Sequence, residues 1–467
     1  MWQWLISLAY GALVGLVALR HEPWFDEMHV WMMAREYSFG ELLGQMPYEG
    51  SPVLWHLLVK LASGLGGGPA SMHVLALALS VGAVAWMLWR APLPGPVKAL
   101  LPFTFWLGYQ YSVVARNYTL LAPLLFYLAS QWPARQQRFG RIVVTLALLS
   151  WVTAHGFIMA GCFSALLVWE LLRQWKDVSP TDRRMRIGWL TGILLFALGT
   201  AWHLRRPTDL NFHMPGHKPW YALVETVRLV IDRVWTPWRW MTVLAILVSA
   251  IWFFRRGMLM LWALPTAAVF ALFWLVYGED RHVGVLYLLW AACLWISFDT
   301  RLDARRAASD RERRVFAPLF ACIVASQLNW TIQTVAYDWT QNYGGARGVA
   351  LFLKKEGLDS KRIIAVGFHC SAILPYFDRN IFMNWNDGKS PAGWWWSTRF
   401  KYFDASDEIV AAKPDVIIRT LKPPIWRAVV PQPGYIGYRK VTEATGGIFL
   451  QDRIKEEDSF QIWIRNE

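Results

Sequence analysis

Two adjacent carboxylates, Asp26 and Glu27, stand in "RHEPWFDEMHVWMMARE", just past an apolar run that ends at Leu19. A carboxylate at the edge of a hydrocarbon layer can take the proton from an attacking hydroxyl when its pKa and hydrogen-bond reach suit. The plainer use of the pair is local: Asp26 as a helix N-cap, with Glu27 meeting the helix dipole in the first turn. Two arginines offer the complementary charge. Arg116 lies in "VVARNYTLLAP" with Tyr118 two residues on, and Arg281 lies in "YGEDRHVG", flanked by Glu279, Asp280 and His282. Guanidinium groups hold phosphate bidentately and stay charged beside lipid, which lysine does less reliably. Snorkelling to head groups is the alternative use of either one. Glu49 and His56 follow in "YEGSPVLWH", and His29 and His155 complete the set.

Asp26, Glu27, Glu49 and Asp280 are oxygen donors of the kind that Mg²⁺ or Mn²⁺ accepts. No spacing specifies an ion, so no metal site is assigned and a divalent cation stays open as a cofactor. Three of the four cysteines, Cys162, Cys293 and Cys322, lie in apolar runs, and Cys370 stands apart; neither a disulfide framework nor a thiolate metal site is expected.

These groups must be positioned by a chain too apolar for a soluble protein of its length. Of 467 residues 55% are hydrophobic and only 17% charged, with 31 Trp. Apolar runs near 2–19, 70–89, 99–114, 118–132, 141–154, 156–172, 188–204, 240–254, 258–277, 283–298 and 315–337 predict an all-α polytopic membrane protein of about eleven transmembrane helices. The first run lacks a basic leader and a small-residue cleavage site, so it reads as a retained helix. "SPVLWHLLVKLASGLGG" is short and carries His56 and Lys60, which predicts a helix lying along the membrane surface.

Charge tests that reading. With a cytoplasmic N-terminus, the inner loops hold 18 Lys/Arg in 49 residues and the outer segments 11 in 93. The bias follows the positive-inside rule, and it accounts for the net charge of +14 without a nucleic-acid partner. The same orientation puts the ionisable set at the outer ends of spans, and such convergence marks a substrate or ion path. Residues 1–337 thus form the membrane domain, with a first outer loop at 20–69. From 338 to 467 the pattern turns to "GARGVALFLKKEGL" (helix), "RIIAVG" (strand), "DEIVAAKPDVIIRT" (helix, then strand) and "FQIWIRNE" (strand), a small α/β domain on the outer side.

The first helix, the acidic pair before an amphipathic helix, the Pro-led aromatic helix "EGSPVLWHLL" and the outer C-terminal domain resemble the GT-C superfamily. Within it the likeness is to the bacterial branch of protein mannosyltransferases, aminoarabinose transferases and lipopolysaccharide-core glycosyltransferases, and it covers about residues 1–337. The resemblance implies a glycosyltransferase of the bacterial inner membrane. Its donor would be a polyprenyl-phosphate sugar, its surroundings membrane lipids, and its acceptor a lipid, glycan or protein of the envelope. It further implies Asp26 as general base with Glu27 beside it, and Arg116 with Tyr118 as an Arg-x-Tyr segment. No glycine-rich nucleotide loop competes with a lipid-linked donor. Arg281 and Arg116 would hold the carrier phosphate, with Glu49, His56, Asp280 and His282 around them. His213, His217 and Lys218 in the loop 205–239, and the three Trp of "SPAGWWWSTRF", are secondary candidates for a lid and for sugar stacking. A transporter of lipid-linked glycans is the rival; it should show broken helices at mid-membrane.

Overall fold

The computed structural model of the chain describes residues 1–211, 220–301, 309–421 and 435–466. Helix α1 (Trp2–Arg20) leads into the first loop, which folds as α2 (Phe25–Glu36), α3 (Phe39–Glu49) and α4 (Leu54–Ser63), before α5 (Ala70–Arg90) returns beside α1. Trp4 near the start of α1 meets Trp89 near the end of α5, ring centroids 4.5 Å apart. At the other end His21 meets His73 at 5.7 Å. The two helices are therefore antiparallel, and the bundle has a Trp4 end and a His21 end. From His73 to Arg90 along α5 is about 25 Å at 1.5 Å per residue.

The next run, expected as one helix over 99–114, is broken. Helix α6 (Gly95–Leu100) gives way to a 3₁₀ turn at Leu101–Phe103 and a π-helical turn at Trp106–Gln110. Pro102 cannot continue an α-helix, and backbone amides freed in a hydrocarbon layer must find partners inside the protein. They do: Thr331 donates to Phe103 O (2.8 Å), Tyr10 to Leu107 O (2.8 Å), and Ala115 N–H donates to the Glu27 carboxylate (2.7 Å).

Helices α7 (Leu121–Gln131), α8 (Phe139–Ser150), α9 (Ala154–Arg173) and α10 (Pro180–His203) follow, then α11 (Ala222–Arg233), α12 (Arg239–Arg255), α13 (Leu259–Leu275), α14 (Gly284–Phe298), α15 (Asp310–Ser326) and α16 (Leu328–Thr340). Among the described residues five helices are long and apolar enough to cross a membrane: α1, α5, α9, α10 and the α15–α16 pair. Helix α14 is buried along its whole length. At its start Gly284 lets the backbone approach the Trp106 ring, which a Cβ would strike. Helix α10, by contrast, exposes Leu194, Leu195, Leu198 and Trp202, as a lipid-facing helix should. Helix α4 is about 15 Å long, too short to cross, and Lys60 ties it to α2 through Tyr37 O (2.5 Å) and Ala34 O (3.1 Å).

The C-terminal part is α/β as expected. Helix α17 (Ala346–Lys355) precedes β1 (Ile363–Val366), and α18 (Ser406–Ala412) precedes β2 (Val416–Thr420); β3 (Tyr438–Ala444), β4 (Gly447–Leu450), β5 (Arg453–Glu457) and β6 (Phe460–Arg465) follow. The main sheet runs β1-β2-β6-β3, with β1 and β2 parallel and the other pairs antiparallel, while β4 and β5 form a separate hairpin. The sequence pattern predicts β1, β2 and β6 but not β3, β4 or β5. This part sits directly on α2. Arg347 N–H donates to Glu22 (2.8 Å), Arg35 to Phe377 O (3.0 Å), and Ala392 N–H to Glu36 (2.7 Å), while Phe25 packs edge-on against Phe368 at 4.9 Å.

Candidate active site

Residue Trp24, not Asp26, is the N-cap of α2, so Asp26 lies within the first turn and is not the cap that the sequence allowed for. Its carboxylate pairs directly with Arg116, and Arg281 Nη1 lies 3.9 Å away. All three side chains remain about one-fifth open, at 20%, 21% and 19%. Both guanidinium groups also lie over the Trp24 ring, Arg116 at 5.8 Å and Arg281 at 4.9 Å from its centroid. The indole ring adds cation–π attraction to each arginine. Burial alone would raise the Asp26 pKa, but Arg116 and then Arg281 outweigh it and hold the carboxyl below the ordinary carboxylate range. Asp26 is therefore ionised at neutral pH.

Glu27 parts company with its neighbour. Its side chain is fully buried, accepting from Ala115 N–H at 2.7 Å and lying 3.1 Å from His21 Nε2. His21 Nδ1 reaches Asp338 Oδ2 at 2.8 Å, and Tyr109 OH donates to the same oxygen at 2.8 Å. Glu27 thus caps the broken segment and faces a buried network, whereas Asp26 faces the arginines.

Histidines line the other flank. The Tyr118 ring stacks on Tyr111 at 5.2 Å and on His282 at 5.8 Å, and His155 lies 5.8 Å from Tyr118 and 5.6 Å from His282. Arg116 lies over the Tyr118 ring at 5.9 Å. Burial, reinforced by Arg281, keeps His282 neutral, and its Nδ1 accepts from Glu279 N–H at 3.3 Å, which leaves the proton on Nε2. His56 is buried with neither ring nitrogen bonded, and burial pushes its pKa down to about 4. Both His155 nitrogens are likewise unpartnered. Buried polar atoms without partners are uncommon and call for a ligand, water or function to explain them.

Glu49 and Asp280 serve different ends. Glu49 Oε1 lies 2.9 Å from His29 Nε2, and although burial opposes a charge there, Glu49 raises the His29 pKa. Asp280 is 3% open and is held by Lys455 (2.5 Å), Arg453 (3.4 Å) and Arg233 (3.4 Å), so it anchors the β4–β5 hairpin to the bundle rather than facing Asp26. The four carboxylates named as oxygen donors therefore point to four different partner sets. Among the described residues no three His, Cys, Asp or Glu side chains converge as a metal set.

Trp24 and His369 were not singled out from the sequence. His369 stacks on Phe25 at 4.8 Å, is held by Asp458 at 2.9 Å, and adds to the positive field on Asp26. The C-terminal part thereby borders the site. The aromatic letters around Trp24 were a signal; nothing local marked His369. Of the three consecutive tryptophans, Trp394 packs into an aromatic core with Trp385 and Tyr402, and Trp395 meets Tyr48 at 5.4 Å. His213, His217 and Lys218 lie outside the described residues. No protein-family model matches the chain, and neither curated proteins nor solved structures give a match.

Proposed function

We propose that this chain is an integral membrane glycosyltransferase of the GT-C type, moving a sugar from a polyprenyl-phosphate carrier to an envelope lipid, glycan or protein. The observation that carries the reading is Asp26, ionised and part open, meeting two arginines that both lie against the Trp24 ring. In the reaction an acceptor hydroxyl oxygen attacks the anomeric carbon and gives its proton to Asp26. The bond from that carbon to the phosphate oxygen breaks with inversion, and the carrier phosphate leaves as an anion held by Arg116 and Arg281. A phosphate leaving group needs cations in place of a protonating acid. Competition for the arginines links the two halves. A phosphate that draws Arg116 or Arg281 away from Asp26 relieves the field on the carboxylate and makes it a stronger base as the donor binds.

Helices that run alternately between the Trp4 and His21 ends, with 95–116 as one broken passage, support eleven crossings. The distribution of Lys and Arg supports a cytoplasmic Trp4 end, and we take the site and the C-terminal part to lie at the outer face of a bacterial inner membrane. The broken passage is also what a transporter would have, and it keeps that second reading in play. Against it, the break is buried, its freed backbone groups bond to side chains, and among the described residues the groups around Asp26 gather at the His21 end without a polar route leading from them across the bundle.

The test compares wild type and Asp26→Asn in membranes given radiolabelled polyprenyl-phosphate sugars. Loss of a general base predicts a fall in transfer of about 10²–10⁴-fold in a well-folded variant. Undiminished transfer by Asp26→Asn removes the base. Carrier movement across vesicles by wild type, with no label in any acceptor, establishes the transporter.

A further inference from the structure

At the Trp4 end, some 25 Å along α5 from His73, a cavity of about 550 Å³ opens between α5, α7, α8 and the end of α14. Its size is within the usual range for small-ligand sites, about 300–1,000 Å³. Arg90, Arg138, Arg141 and Arg301 line it, and among the described residues Asp299 is the one carboxylate in its lining. That carboxylate is already taken: Arg301 holds it twice, at 2.9 and 2.7 Å. Arg138 donates to the neutral amide of Gln131 at 2.7 Å, and Arg90 lies over the Trp86 ring at 5.2 Å. Among the described residues none of Arg90, Arg138 and Arg141 has a carboxylate partner.

Where two of these arginines sit adds an independent observation. Arg138 is the N-cap of α8 and Arg141 lies in its first turn, which holds no acidic residue. A helix N-terminus favours anions and is destabilised by cations. Loop arginines that merely orient a membrane protein have no reason to crowd that position. An anion bound there would satisfy the helix end and three guanidinium groups together. The aromatic residues at this end, Trp2, Trp4 and Trp89, are exposed, as in an interfacial belt, so the cavity opens at head-group depth.

We infer that this cavity binds a phosphate-bearing head group, the phosphodiester of an anionic membrane lipid entering between α5 and α8. Basic pockets between membrane helices hold such head groups, and guanidinium forks match phosphate oxygens. The site is separate from the Asp26 cluster and does not depend on the glycosyltransferase reading.

The experiment uses the full chain in nanodiscs of phosphatidylcholine doped with phosphatidylglycerol, followed by native mass spectrometry of retained lipid, with inorganic phosphate as a second probe. Wild type is expected to retain phosphatidylglycerol over phosphatidylcholine. Removal of each arginine in Arg90→Gln, Arg138→Gln and Arg141→Gln should lower the preference about fivefold. These side chains are exposed, so the variants should fold, and Arg141→Lys, which keeps the charge and loses the fork, should recover part of the preference. Phosphate that displaces the lipid with the same arginine dependence supports the phosphate chemistry. Phosphate bound with no lipid retained identifies a soluble phosphate as its source. A wild type without preference, or a triple variant that keeps it, overturns the inference.

Discussion

Glu27→Gln puts the buried network beneath the site to a quantitative test. His21 lies between two carboxylates, 3.1 Å from Glu27 and 2.8 Å from Asp338, with all three side chains essentially closed to solvent. Burial disfavours the imidazolium, but Asp338 and Glu27 reverse this and raise the His21 pKa from 6.5 to about 10. A folded-state value above the unfolded one gives a stabilisation that is fully present below about pH 6.5. It is lost as the pH rises through about 10. Breaking a buried pair by removing one partner costs about 3–5 kcal/mol. Glu27→Ala belongs at the upper end, since Ala115 N–H also loses its acceptor at a cost of about 1–3 kcal/mol. Glu27→Gln keeps an oxygen for that amide and belongs at the lower end. Asp338→Asn should cost a similar amount, and the double variant less than the sum by at least about 1 kcal/mol, because His21 is then neutral. Reversible unfolding in mixed micelles at pH 6, 8 and 10 measures wild type, Glu27→Gln, Glu27→Ala, Asp338→Asn and the double variant. Wild type should weaken across that range and the single variants much less; equal slopes in all of them would refute a protonated His21.

Three further outcomes follow from the same geometry. Arg281→Ala should lower sugar transfer about 10²–10³-fold, the usual loss for one preorganised charge-stabilising group, and Arg281→Lys should restore only part of it, as read from initial rates at saturating acceptor. His56, pushed down to about pKa 4, resists protonation in the fold, so wild type should lose stability as the pH falls from 6.5 towards 4. His56→Leu should remove the share of that loss that His56 carries, the rest staying with His155 and His282, in unfolding measured at pH 4.5 and 7, and a well-folded His56→Leu without activity would put the imidazole on the substrate. Asp280→Asn should loosen the β4–β5 hairpin by about 1–3 kcal/mol, discounted because Lys455 and Arg453 are part exposed; faster limited proteolysis between Leu450 and Arg453 would report it.

What the sequence discloses and what it hides divide along a physical line. Long apolar runs announce α1, α5, α9 and α10 because hydrophobicity is summed locally, and short β-branched apolar runs announce β1, β2 and β6 for the same reason. The break at 101–116 is invisible to such a sum. Its acceptors and donors come from Glu27, 88 positions from Ala115, and Thr331, 228 from Phe103. The hairpin strand β5 is equally hidden, since "RIKEE" becomes a strand only against β4 and is held by Asp280, 175 residues before Lys455. The candidate site shows the same division at the scale of one residue. Consecutive positions on an α-helix are turned about 100° from each other, so adjacent carboxylates must meet different surroundings. Asp26 and Glu27 look like a pair only in one dimension. On α2 one faces Arg116 and Arg281 and the other faces Ala115 and His21. The groups that do converge on Asp26 come from the end of the broken passage and from the loop before α14, and only the fold brings them to one place.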